Sequence, residues 1–101
     1  MSLTYVDMYE NEVRAIEISI RDQDDVEFEP SGAYATIVDS DGDTVVAETA
    51  AMVTENQVYT VVNATTTETP GDYEIIWKIL KTAGAQTYIY YHKTHLVVNE
   101  L

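Results

Sequence analysis

The stretch Pro70-Gly71-Asp72-Tyr73-Glu74-Ile75-Ile76-Trp77-Lys78-Ile79-Leu80 decides the fold class. Along it Tyr73, Ile75, Trp77 and Ile79 share one parity, whereas Glu74 and Lys78 fall on the other. Successive side chains of a strand point to opposite faces, so this period of two describes a strand with one face in a core and the other partly wet. Pro70-Gly71 suits the centre of a type II turn, where glycine takes the positive φ that proline cannot.

The same period recurs on both sides of this strand. In residues 13–21, Ile16, Ile18 and Ile20 alternate with Glu17, Ser19 and Arg21. Residues 33–38 alternate again, and Asp39-Ser40-Asp41-Gly42-Asp43 then separates them from Val45-Val46. Asp-Gly between two β-rich runs is a strong hairpin signal. Residues 57–64 return to β-branched character, and residues 87–98 supply a final long strand after a turn at Lys81-Thr82-Ala83-Gly84-Ala85. Residues 3–9 add a short first strand, residues 22–32 read as an acidic loop, and residues 49–56 read as irregular. No run of ten or more residues carries helical periodicity. These signals predict an all-β chain, an antiparallel sandwich of about seven strands, with a meander or closed barrel as the alternative. Ile16, Ile18, Ile20, Tyr73, Ile75, Trp77 and Leu96 are expected to share one core.

A length of 101 residues fits one domain spanning residues 1–101, with Met1-Ser2-Leu3 reading as a remnant of an expression vector and given no weight in the fold. Eighteen Asp and Glu against five Lys and Arg set a formal charge of -13. Binding to nucleic acid or to an anionic membrane is built from Lys and Arg on phosphates, so both partners are excluded by this balance. The absence of cysteine excludes disulfides, thiol catalysis and zinc-thiolate sites. No apolar run approaches a membrane span and no charged-then-apolar leader opens the chain, so it reads as soluble.

Two acidic groupings invite a metal reading. Asp39, Asp41 and Asp43 around Gly42 resemble a calcium loop, but the glycine falls early, before Asp43 instead of after it, and Glu48 is not where a bidentate glutamate belongs. Asp22, Asp24, Asp25, Glu27 and Glu29 read as a solvated loop. No metal or other cofactor is assigned. His92 and His95 lie three apart on one strand and so face opposite ways. With no nucleophile, base and orienter brought together by any motif, no catalytic residues are assigned and an enzyme is not expected.

In immunoglobulin-type sandwiches a tyrosine near the start of the penultimate strand lies two residues before a core position often held by cysteine. Tyr73 precedes Ile75 by two. Taken with Ile16-Glu17-Ile18-Ser19-Ile20, Pro30-Ser31-Gly32-Ala33, Asp41-Gly42 and Pro70-Gly71-Asp72-Tyr73, the chain resembles immunoglobulin-like modules of tailed-phage structural proteins, nearest to the baseplate upper protein amino-terminal domain. The heavy acidity departs from that pattern. The resemblance implies a non-enzymatic assembly module in a virion, working through contacts with other virion proteins or with itself as a homo-oligomer. The alternative is a bacterial or archaeal surface or secreted adhesion module that binds carbohydrate or protein.

The final strand carries the candidate contact surface. Tyr88 and Tyr90 share parity with Leu96 and Val98 and are expected to point inward, leaving Ile89, Tyr91 and Lys93 outward. Tyrosine offers large contact area with few rotors to freeze, so Ile89, Tyr91 and Lys93 form the candidate interface.

Overall fold

The alternating segments fold as strands in the computed structural model, which describes residues 3–22 and 24–101. In chain order the elements are β1 (Leu3–Tyr9), β2 (Arg14–Ser19), β3 (Gly32–Asp39), β4 (Thr44–Ala50), β5 (Met52–Thr54), β6 (Gln57–Val62), α1 (Ala64–Thr67), β7 (Gly71–Ala83) and β8 (Gln86–Asn99). They form a two-layer sandwich: a five-stranded sheet in the order β1-β8-β7-β3-β4 against a three-stranded sheet in the order β2-β6-β5. Residues 1 and 2 of the suspected vector remnant lie outside the described residues, as does Gln23 of the acidic loop, but Leu3 begins β1.

The core lies between the sheets. Ile16, Ile18 and Ile20 from the β2 side meet Tyr73, Ile75, Trp77 and Ile79 of β7 and Leu96 and Val98 of β8, all buried. Size is matched across the sheet as well. Trp77 lies beside Ala35 and Ile79 beside Ala33 on neighbouring β3, so small residues leave room for large ones. Gly32 starts β3 next to Leu80, whose Cδ1 would lie 3.4 Å from a Cβ at that position.

Four expectations are corrected. Pro70-Gly71 is not a type II turn: Gly71 has a φ of 152° and already belongs to β7, and the reversal is made upstream by α1. That single helical turn of threonine-rich chain has no sequence signature because tertiary contacts hold it. The Thr67 hydroxyl donates to the Glu12 carbonyl at 2.8 Å, and the Asn11 N–H donates to the Thr67 carbonyl at 3.0 Å. Residues 49–56 are not irregular, since β4 runs on to Ala50 and β5 follows in the other sheet, with the Ala51 N–H tied to the Ala33 carbonyl at 2.9 Å where the chain changes layer. The sandwich is also not wholly antiparallel, because β1 pairs with β8 in parallel.

The fourth correction concerns Tyr88. Its parity is inward as expected, opposite Lys81, yet it is 48% exposed. At about 3.3 Å per residue, β7 and β8 run roughly 40 Å, about twice the reach of β2 or β6. The hairpin therefore projects past the smaller sheet, consistent with extents of 47 × 21 × 20 Å, and Tyr88 stays half exposed, while the acidic loop covers its neighbour Lys81 through Asp22 and Phe28. Tyr90, one step nearer the body, packs on the core and against Phe28, ring centroids 6.0 Å apart.

His92 sits on the core side of β8 beside Trp77, half-buried, and burial holds its pKa below the ordinary 6.5. The unfolded chain then takes up a proton that the folded one resists, so stability rises with pH through the window just below 6.5. Melting temperature is expected to fall as pH drops from about 7.5 to about 5, and His92→Gln to flatten that slope. An equally steep slope in the variant would assign it elsewhere.

Candidate functional site

Strand register assembles the outer face of the five-stranded sheet into rows. Residues two apart on a strand share a face about 6.8 Å apart, and neighbouring strands lie about 4.8 Å apart. One row crosses β3, β7 and β8 as Tyr34, Lys78 and Tyr91. On one side of it lie Gly32, Leu80 and Ile89, and on the other Thr36, Ile76 and Lys93. The row beyond those contains Val38, Glu74 and His95, with Tyr5 of β1 beside His95. The sequence-derived interface residues Ile89, Tyr91 and Lys93 thus share one face and are exposed, Ile89 at 52% and Tyr91 at 49%.

Across the first three of these rows, on β3, β7 and β8, no carboxylate appears, although the chain has eighteen. Lys78 stands at their centre. Its ammonium lies 5.8 Å from the centroid of the Tyr34 ring, a cation–π distance. The other four cations each have a carboxylate within 4 Å: Arg14 has Glu12, Arg21 has Asp25 and Glu27, Lys81 has Asp22, and Lys93 has Glu74 at 3.7 Å. Among the described residues Lys78 alone has none. At the far end of the face, Tyr5 stacks on His95 with centroids 5.3 Å apart, and His95 Nε2 lies 3.4 Å from Asp72.

Sequence reading missed Tyr34, Lys78, Ile76, Leu80 and Tyr5 as companions of Ile89 and Tyr91. The signal that places Lys78 on the wet face of β7 was present in its parity with Glu74. What was absent was the pairing of β7 with β3 and β8, a long-range fact.

The acidic groupings have local explanations. Asp39, Asp41 and Asp43 bring carboxylate oxygens within 4.8 Å of one another, the one group of three or more metal-capable side chains among the described residues. Asp39 Oδ1, however, accepts the backbone N–H of Asp41 at 2.9 Å and of Asp43 at 3.0 Å, which shapes the β3–β4 turn while Gly42 takes a φ of 84°. Asp39→Ala is expected to cost about 1 kcal/mol, because two hydrogen bonds that each contribute about 0.5–1.5 kcal/mol when unexposed are lost at an exposed turn. Asp41→Ala should be near neutral, and calcium should shift neither melting curve; a calcium-dependent rise abolished by Asp41→Ala would make the turn a metal site.

In the other acidic loop Asp22 plays the same part. Its Oδ1 accepts the N–H of Val26 and of Asp24, its Oδ2 meets Lys81 at 3.3 Å, and hydrogen bonding led by Val26 lowers its pKa. A shallow, open depression beside that loop is lined by Glu27, Phe28, Glu29, Glu55 and Asn56. His92 and His95 lie on opposite faces, as their spacing requires. Comparison with known proteins finds no matching family model and no similar curated protein.

Proposed function

We propose that this chain is a non-catalytic assembly module with an immunoglobulin-like sandwich, acting through protein–protein contact as part of a virion, in a tail, baseplate or capsid-associated position. The observation that carries the contact role is the outer face of the large sheet, where half-buried Tyr34 and Lys78 and exposed Tyr91 form a row centred on a cation that has no carboxylate partner among the described residues. Tyrosine is enriched where proteins meet, and rows free of carboxylates on β3, β7 and β8 set this face apart from the rest of a strongly acidic surface.

Two features support the immunoglobulin-like reading. The order β8-β7-β3-β4 opposite β2-β6-β5 matches the G-F-C-C′ and B-E-D arrangement of such sandwiches. The Tyr73 hydroxyl donates to the Thr69 carbonyl at 2.6 Å, as the tyrosine at the E–F corner does in that fold.

The test compares the reactivity of Tyr91 and Tyr34 toward tyrosine nitration in the isolated chain and in particles purified from its source. Protection in the particle is expected. Equal reactivity in both removes the contact face, and absence of the chain from the particles removes the virion placement.

A further inference from the structure

The charge distribution narrows the choice of partner for this face, given the contact role proposed above. A chain of charge -13 repels its own copies wherever carboxylates meet. The rows of Leu80 and Ile89, of Tyr34, Lys78 and Tyr91, and of Thr36, Ile76 and Lys93 offer an approach without that opposition. Along β7 the face reads Glu74, Ile76, Lys78, which places an anion and a cation at equal distances, about 6.8 Å, on either side of an isoleucine.

We infer that this face pairs with the same face of a second copy, about a two-fold axis that runs across the strands at Ile76. Such an axis reverses the rows and keeps the strands in column. Lys78 of each copy then lies over Glu74 of the other, Ile76 meets Ile76, and Tyr91 covers the His95 and Tyr5 pair. Lys78 gains the carboxylate it lacks among the described residues of its own chain, twice per dimer by symmetry. Lys93, in the Ile76 row, falls opposite its own counterpart across the axis, and Glu74, 3.7 Å from Lys93 of its own chain, then lies between two ammonium groups and offsets both. Three rows across β3, β7 and β8 cover roughly 14 × 20 Å, which is below the roughly 800 Å² per partner of a standard interface, so the dimer is transient and concentration-dependent. Long-range repulsion between two acidic chains is screened by salt while apolar contact is not, so association strengthens as ionic strength rises.

Sedimentation velocity of the full chain tests this at low and high concentration, in about 0.02 M and about 0.5 M salt, which bracket the range over which screening of this repulsion takes hold. The wild type is expected to shift from monomer toward dimer with concentration, more so in the higher salt. Lys78→Glu, Glu74→Lys and Tyr91→Glu should each abolish the shift with circular dichroism unchanged, whereas Val61→Glu, on the exposed side of the other sheet, should not. Glu74→Lys lowers the net repulsion and Lys78→Glu raises it, so loss in both cannot come from net charge. The doubly swapped variant keeps the charge of -13 and should dimerise again. A wild type monomeric under all conditions overturns the self-pairing, and with Tyr91 still protected in particles the contact role stands with a different protein as partner. A dimer indifferent to every substitution overturns the self-pairing at this face, and unprotected Tyr91 in particles would then overturn the contact role too. Loss in the single variants without recovery in the double swap overturns the two-fold register.

Discussion

Trp77→Ala is expected to lower stability by about 3–5 kcal/mol, the range for deleting a large aromatic from a packed core. Trp77 is fully buried at the centre of β7, flanked by Ala35 on β3 and His92 on β8. The alanine beside it cannot swell to fill the space, so most of the volume remains as a cavity. Domains of this size have about 5–15 kcal/mol in total, and the variant should therefore unfold at a much lower urea concentration with a substantial unfolded population at 37 °C. An unchanged denaturation midpoint would remove Trp77 from the core.

Thr94→Val isolates a different term. The Trp77 indole N–H donates to the Thr94 hydroxyl at 2.9 Å, and both residues are fully buried. Valine has nearly the volume of threonine but no acceptor, so the indole N–H is left without a partner away from water. That desolvation costs about 1–3 kcal/mol, more than the net contribution of the bond itself. Trp77 is the only tryptophan, so its fluorescence reports both unfolding and the altered contact. The cost should shrink in a Trp77→Phe background, where no N–H remains to be orphaned. A Thr94→Val protein as stable as the wild type, with unshifted emission, would mean that water reaches the indole.

The same β7 strand shows how far sequence reading extends. Its inward set, Tyr73, Ile75, Trp77 and Ile79, was legible because strand parity is a local property and one misplaced register would send all four into solvent. His92 and His95 were separable on the same ground. Tyr88 was misjudged because parity states which way a side chain points, and not how much of another layer stands opposite; β7 and β8 outrun β2 and β6, so an inward tyrosine is left half exposed. α1 was invisible because a four-residue turn of Ala64 and threonines has no periodicity and is held by Asn11 and Glu12 from the far end of the chain.

By itself, then, the sequence determined what depends on neighbours along the chain: most of the strand segments, which of their faces are apolar, where Asp39 and Gly42 turn the chain, and a formal charge of -13. Only the tertiary structure decided which strands lie side by side, the parallel docking of β1 on β8, the layer change at Ala51, and the row that brings Tyr34, Lys78 and Tyr91 together from positions 44 and 13 residues apart. The reason is physical. Side-chain alternation is set by backbone geometry within a few residues, whereas pairing is set by competition among strands for one shared core, and the outcome depends on every strand at once.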